Sequence, residues 1–256
     1  MPPELTRGLF SFIIHHTEGE LPTSNYQASS INKLDHVVIN TNDADGFINI
    51  YRDIEILSYT GGRIHIPYVN TKKGVDLIRE AKKRNLDITA SVSLANIVFS
   101  DKDIDDYNTN LKIIPPLRSE IDSNSLKEGL IDGTIDYLTS MHEPLNIDTK
   151  KVVFDDATPG SIGLESVFGL MCNNFTLEKT IDILTRKKSI FEVQDQEIKV
   201  GSHADLTLFN PDKSYKFSID HILSTSKNCA FIGSKLKGIV YGSVNNENFT
   251  LNRLWT

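Results

Sequence analysis

The chain has 256 residues, of which 39% are hydrophobic and 24% are charged, so it is long enough to bury a sizeable core. These proportions are ordinary for a globular protein and exclude a disordered chain. The formal net charge of −7 excludes a broad nucleic-acid-binding surface, because neutralising phosphates requires clustered Lys and Arg side chains.

The first apolar stretch and the cysteine content bear on where the protein resides. Residues 9–14 are too few to span a bilayer, and they lack the basic flank of a signal peptide. The two cysteines, Cys172 and Cys229, form neither a disulfide framework nor a CxxC metal pair, which is typical of a reducing compartment. We therefore expect a cytoplasmic protein that does not associate with membranes.

Helix-like and strand-like segments alternate from residue 47 onward, after a polar stretch at residues 17–45 that predicts a loop. A first helix is predicted to end at Gly61 and Gly62 and to lead into a strand over residues 63–69. Thr71 is the predicted N-cap of a second helix, which a strand over residues 86–92 follows. The apolar positions of these two helices are Phe47, Ile50, Ile54, Leu57, Val75, Leu77, Ile78 and Ala81. This alternation indicates an α/β fold with a parallel sheet.

The second half of the chain continues the alternation and then changes character. Ser125 and Glu128 form a capping-box pattern for a helix that ends at Gly133, and a strand is predicted over residues 135–140. A further helix is predicted from Thr176, with an apolar face and a solvated basic run at its end. The apolar face consists of Leu177, Ile181 and Leu184, and the basic run of Arg186, Lys187 and Lys188. Residues 191–256 are predicted to be a small β-rich unit, separate from residues 1–190.

Several ordered blocks carry a resemblance to a known family. They include TGGRIHI at residues 60–66, PPLRS at 115–119, EGLIDGTID at 128–136 and GLES at 163–166. In this order they resemble the dihydroorotases, cyclic amidohydrolases of the amidohydrolase superfamily. The resemblance implies a partial (β/α)₈ TIM-type barrel over residues 1–190 and a small C-terminal β domain over 191–256. The HxH metal motif of the family's first strands has no counterpart in this sequence.

The resemblance also implies a zinc site, which this sequence retains only in part. The stretch IIHHTE at residues 13–18 is similar to a family motif that would make His16 a metal ligand. Tyr68 stands where the family's "HVST" motif has its ligand histidine, and neutral tyrosine is a poor zinc ligand. Met141 stands where the "TDHAP" motif has the aspartate that binds metal and transfers protons, and a thioether cannot replace it in either role. Because a catalytic zinc needs three protein ligands, we expect zinc to be absent or weakly bound.

Other residues near these motifs are candidates to replace the missing metal ligands or the missing base, or to contact a substrate. Strand alternation would place His65 on the opposite face from Tyr68, where the backbone would satisfy it. Glu143 is two residues from Met141 and is a weak candidate for the missing base. By the resemblance, His142 and Arg118 are the substrate-binding residues, although pairing Arg118 with a loop carboxylate is an equally good interpretation. The family's substrate contacts are replaced by Ile114, Ala95 and Asn96.

Three hypotheses for function follow. The first is a pseudoenzyme of pyrimidine biosynthesis, catalytically impaired, that assembles with itself or with aspartate transcarbamoylase. The second is an active zinc-dependent dihydroorotase, or a related cyclic-amide hydrolase, completed by another chain or by missing N-terminal sequence. The third is a fragment that does not fold alone. The replaced metal positions favour the first hypothesis.

Overall fold

We describe residues 12–14, 37–39, 46–104, 107–186, 198–202, 204–245 and 247–252 of a computed structural model of the chain. Five strands form a parallel sheet whose order follows the chain. The strands are β1 (Phe12–Ile14), β2 (Val37–Ile39), β3 (Arg63–Ile66), β4 (Asp87–Ser93) and β5 (Tyr137–Thr139). Strand β2 lies in the stretch predicted to be a loop, so that prediction is wrong over residues 37–39. Three residues are too few to produce a readable alternation.

Six α-helices lie in the part of the chain that the structure describes. They are α1 (Gly46–Thr60), α2 (Lys72–Lys83), α3 (Leu94–Val98), α4 (Glu120–Asp132), α5 (Val167–Asn174) and α6 (Leu177–Thr185). The first two helix-strand units are confirmed, although β3 ends at Ile66 rather than at Val69. Thr71 caps α2 by accepting the Gly74 N–H at 3.1 Å. Among these helices, none is long and apolar enough to cross a membrane.

The start predicted for α4 at Ser125 is wrong, because the helix begins earlier, after Ser119. The Ser119 hydroxyl accepts the Asp122 N–H at 3.3 Å and donates to the Asp122 carboxylate at 2.6 Å. Ser119 therefore satisfies an orphan N–H of the first turn, which leaves Ser125 buried inside the helix. Gly133 ends α4 with a φ of +81°, a left-handed conformation that glycine adopts readily, as predicted.

The apolar face predicted for α6 is not the buried one. Thr180 and Ile183 are buried, whereas the three predicted face residues, Leu177, Ile181 and Leu184, are each 37–41% exposed. The end of the helix fixes this rotation, because the Arg186 guanidinium donates to the carbonyls of Ile135 and Asp136 at 3.1 and 3.0 Å. Arg186 is thus a structural anchor rather than part of a solvated run, while Lys187 and Lys188 lie outside the described residues.

The two faces of the parallel sheet differ in polarity, and this difference positions the candidate site. Alternation along β3 and β4 places five buried apolar residues on one face, the side of the core that α1 and α2 help to form. These residues are Ile64, Ile66, Ile88, Ala90 and Val92. The opposite face carries His65, Thr89, Ser91 and Ser93, and the register adds Tyr137 of β5 beside Ser91. Polar groups therefore line one side of a sheet whose other side is apolar.

A separate antiparallel sheet follows in the last third of the chain. It consists of β6 (Asp205–Lys216), β7 (Lys235–Asn245) and β8 (Asn248–Leu251), in that order. Helix α5 packs on β7 at Gly169, where an added Cβ would lie 2.8 Å from the Leu236 Cβ. The β-rich character predicted for this region is confirmed, while the boundary between residues 190 and 191 stays a prediction because residues 187–197 lie outside the described part.

Candidate functional site

A buried imidazole is the centre of the polar sheet face. The Nδ1 atom of His65 lies 2.9 Å from the Thr89 hydroxyl, and its Nε2 atom lies 3.2 Å from the Ser91 hydroxyl. Thr89 is the register partner of His65, and Ser91 lies two residues further on the same face of β4. Side-chain hydroxyls, not the backbone as predicted, therefore satisfy both ring nitrogens.

Tyr137 covers one face of this imidazole. The two rings are parallel to within 8°, with centroids 5.1 Å apart, and the phenol oxygen lies 3.2 and 3.0 Å from Nδ1 and Nε2. An in-plane oxygen equally close to both nitrogens would collide with the carbon between them, so the hydroxyl lies over the ring face. Burial, followed by the negative charge of Asp136 and the neighbouring Tyr68, raises the pKa of Tyr137. The phenol therefore stays protonated at neutral pH.

Tyr68 approaches the same cluster because the chain leaves the strand before reaching it. Strand β3 ends at Ile66, and Tyr68 has a φ of +53°, so alternation does not continue. The Tyr68 N–H donates to the Ser91 hydroxyl at 3.4 Å, which places Tyr68 beside the residue that His65 contacts. The Tyr68 phenol also lies close enough to Tyr137, the ring stacked on His65, to raise the pKa of Tyr137, so the prediction that His65 and Tyr68 face opposite sides is wrong. Burial, and secondly the charge of Glu143, raises the pKa of the Tyr68 phenol, which favours its neutral form.

Met141 lies at the end of β5, also with a left-handed backbone (φ +46°). Its side chain is buried, and its N–H donates to the Thr139 hydroxyl at 3.1 Å. Glu143 follows, and its N–H donates to the Ser161 carbonyl at 2.9 Å. The two positions that resemble metal-ligand positions of the family, Tyr68 and Met141, thus share an unusual backbone conformation.

His142 lies between Met141 and Glu143 and contacts the start of the next helical segment. Its Nδ1 atom accepts the Leu164 N–H at 3.4 Å. A neutral His142 must then carry its proton on Nε2, where it can donate to a ligand. The ring is only partly buried, so a substrate-binding role for His142 is consistent with its exposure.

Arg118 lies in the loop before α4, and two asparagines hold that loop. Asn70 lies in the loop between β3 and α2, and Asn96 lies in α3. Both are buried, and both donate to the Pro116 carbonyl, at 3.3 and 3.1 Å. From the sequence, Asn96 was expected only as the replacement of a substrate contact, and this structural role was not predicted. The sequence does show two asparagines that follow predicted strands. That both bind the same carbonyl can be seen only in the folded chain.

Lys150 is a buried amine near Glu143, and sequence analysis did not single it out. It ends a 3₁₀ turn over Ile147–Lys150, and its amine donates to the carbonyls of Thr109 and Lys112 at 2.9 and 3.2 Å. Burial, together with the positive charge of Lys112, lowers the pKa of Lys150 to about 8, although the Glu143 carboxylate opposes this shift. The amine joins two segments that lie far apart in sequence.

The described residues do not suit a zinc ion. Within the ranges given above, no three His, Cys, Asp or Glu side chains lie together in a way that could hold a metal. The groups near the sheet end are the imidazoles of His65 and His142, the Glu143 carboxylate, neutral phenols, hydroxyls and a thioether. Zinc favours only the imidazoles and the carboxylate, and these are not grouped closely enough to hold it. His16, the predicted metal ligand, lies outside the described residues.

Comparison with curated proteins identifies relatives at substantial identity. The chain is 40% identical over 200 residues to a dihydroorotase of Thermoanaerobacter sp. strain X514, and 38% identical over 197 residues to one of Endomicrobium trichonymphae. These matches cover 75% and 74% of this chain. The chain is homologous to the dihydroorotases. It spans about half the length of these relatives, 46% and 47%. No family model matches the sequence.

Comparison with solved structures agrees on the fold of this dihydroorotase homologue. Dihydropyrimidinase from Brevibacillus agri NCHU1002 superimposes with a TM-score of 0.75 at 17% identity, covering 86% of this chain and 58% of the other. L-Hydantoinase from Arthrobacter aurescens gives a TM-score of 0.71 at 19% identity, covering 85% and 57%. At these identities the likeness concerns the fold alone, and it agrees with the α/β arrangement described above.

Proposed function

We propose that this dihydroorotase homologue serves pyrimidine biosynthesis as a catalytically impaired partner protein. The observation that carries the proposal is the donor set at the sheet end, where Tyr68 and Met141 stand in the positions that resemble the family's ligand histidine and aspartate. The raised pKa of the Tyr68 phenol works against zinc ligation, because only the phenolate is a good ligand. Met141 offers no group that accepts and returns a proton near neutral pH.

We further propose a barrel architecture and a protein partner for this chain. The five parallel strands form part of a (β/α)₈ barrel, and residues 191–256 form its accompanying β domain. Among the described strands, β5 pairs with β4 alone. A second copy of the chain, or aspartate transcarbamoylase, is the proposed partner, and zinc binds weakly or not at all.

An active enzyme is the alternative, and the length of the relatives favours it. Because the chain spans about half of each dihydroorotase it matches, the other half of an active site would come from another chain or from additional N-terminal sequence. In that case His16 and the added residues would supply the ligands that Tyr68 and Met141 do not.

Elemental analysis of purified protein, beside a dihydroorotate hydrolysis assay with added zinc, tests the proposal. We expect zinc well below one ion per chain and no turnover. Stoichiometric zinc together with turnover would overturn the proposal and support the alternative. Copurification with purified aspartate transcarbamoylase, with sedimentation of each protein alone, tests the partner. A mixture that sediments as two unchanged species would remove that enzyme as the partner.

A further inference from the structure

The hydrogen-bond directions around His65 determine where its proton lies. The Thr89 hydroxyl donates to the Ile64 carbonyl at 3.5 Å, so its oxygen accepts from the His65 Nδ1–H at 2.9 Å. A neutral His65 then has an unprotonated Nε2, 3.2 Å from the Ser91 hydroxyl. Ser91 accepts the Tyr68 N–H, and its own proton has the unprotonated His65 Nε2 within reach as an acceptor. Thr89, His65 and Ser91 therefore form a continuous series of hydrogen bonds in which each proton has an acceptor within reach.

This arrangement is that of an activated serine. A nucleophile within hydrogen-bond reach of a base, with the base oriented by a third group, is the geometric mark of covalent catalysis. Here Ser91 is the nucleophile, His65 the base and Thr89 the positioning residue. We propose that Ser91 is the nucleophile of a metal-free acyl-transfer site that accepts small uncharged esters. The proposal does not depend on the loss of zinc chemistry.

The step balances without a cofactor. The Ser91 Oγ attacks the carbonyl carbon of the ester, and its proton passes to the His65 Nε2. The bond to the alcohol breaks, and the alcohol leaves with that proton. Water, deprotonated by the same nitrogen, then hydrolyses the acyl-serine and restores Ser91. The Thr89 hydroxyl accepts from Nδ1 throughout, and the Tyr137 ring lies parallel to the imidazolium that forms.

The surroundings determine the substrate class and its route of approach. Ser91 and His65 are buried, whereas Thr89, Tyr68 and Tyr137 beside them are only partly buried, so the proposed substrate would reach the pair past these three side chains. The groups that border the pair are hydroxyls and phenols, whose raised pKa values keep the phenols neutral. An uncharged acyl group suits this lining better than an anion.

Labelling with a biotinylated fluorophosphonate, with the modified peptide located by mass spectrometry, tests the proposal. In the reaction Ser91 displaces fluoride from phosphorus while His65 takes its proton. We expect the label on Ser91 and its loss in Ser91→Ala. We expect labelling slower by about a hundredfold in His65→Gln, the order of a general-base contribution. Thr89→Val should slow labelling less, because it removes only the orienting hydroxyl.

Ser123→Ala is the matched control, since Ser123 is a buried serine on α4 whose hydroxyl donates to the Ile97 carbonyl at 3.1 Å. It should leave labelling of Ser91 unchanged. Thermal melting of each variant separates loss of reactivity from loss of fold. No label on Ser91 in the folded wild-type protein, or an equal rate in His65→Gln, would overturn the proposal.

Discussion

The side-chain amide of Asn228 donates to the main-chain oxygen of Glu143 at 2.9 Å. The same side chain accepts the Leu145 N–H at 3.1 Å, and Asn228 is fully buried. This one residue therefore holds the loop that carries Met141 and His142 against the core. Asn228 is buried whereas Glu143 and Leu145 are not, so the two bonds tie a surface loop to a side chain inside the core.

Asn228→Ala should destabilise the protein by about 1–2 kcal/mol, since it removes the partner of the partly buried Leu145 N–H and Glu143 carbonyl from a fully buried position. Chemical denaturation monitored by circular dichroism measures the change. Asn173→Ala is the control, because Asn173 also donates to a backbone carbonyl but is exposed. If the two variants lost equal stability, Asn228 would have no special role in holding this loop.

The buried ion pair of Lys82 and Asp136 should matter far more than the exposed pair of Arg63 and Asp87. The first pair is 2.7 Å apart with Asp136 1% exposed, and Asp136 also accepts the Ala90 N–H. Asp136→Ala should cost about 2–4 kcal/mol, because the Ala90 N–H loses its acceptor and the partly buried Lys82 amine keeps only the Gly133 carbonyl. Asp87→Ala should cost at most about 1 kcal/mol, since both partners of the second pair are half-exposed.

Urea denaturation of both variants measures this difference, provided that the dependence of the unfolding free energy on urea concentration is the same in both. Asp136→Asn is a useful third variant, because it keeps an acceptor for the Ala90 N–H while removing the charge. A loss for Asp136→Asn close to that of Asp136→Ala would assign most of the energy to the charge on Asp136. A loss below about 1 kcal/mol for Asp136→Ala would contradict the prediction.

Lys150 should make stability depend on pH in the alkaline range. Its pKa is about 8 in the folded protein, against an ordinary value of 10.5, so between these two values the unfolded chain binds more protons. Stability therefore rises with pH from about 8 to 10.5, as the buried amine loses its charge. Below pH 8 both states carry the proton, and the full cost of the buried charge is present.

Melting temperatures of the wild-type protein and of Lys150→Gln, measured from pH 7 to 10.5, test this prediction. The wild type should gain stability relative to the variant as pH rises through this window. Taking the difference between the two proteins cancels the titration of the remaining lysines and tyrosines. A constant difference across the window would show that the pKa of Lys150 is not lowered.

The two cysteines should resist alkylation in the folded protein, Cys229 most strongly. Burial raises the pKa of Cys229 to about 11, and the thiolate is the reactive form. Burial also raises the pKa of Cys172, which is less enclosed. Iodoacetamide at pH 8 should modify Cys172 slowly and Cys229 only after unfolding. Rapid modification of Cys229 under native conditions would contradict its assigned environment.

Sequence patterns predicted the helix-strand units between residues 47 and 92 because each unit has enough apolar positions to show a period. The predictions were wrong where a contact between residues distant in the sequence determines the orientation of an element. The rotation of α6 depends on Arg186 reaching β5, and periodicity within α6 does not contain that information. Strand β2 was not predicted for a different reason, since a strand of three residues is too short to show an alternating pattern.

The candidate site was predictable only in part. The replacements at Tyr68 and Met141 were visible because they interrupt recognisable motifs. The cluster around His65 was not visible, since it requires the register of β3, β4 and β5 and the left-handed turn at Tyr68. Positive φ at a tyrosine has no sequence signal, because Gly and Asn are the residues that usually mark it.

The anchor at Arg186 couples the end of α6 to the entry of β5. Its guanidinium holds two carbonyls that precede the strand, so α6 cannot fray without releasing that backbone. The helix and the strand should therefore open as one cooperative unit rather than independently. Amide protons of the last turn of α6 and of residues 135–139 should then exchange with solvent at similar free energies of opening, and Arg186→Ala should separate the two.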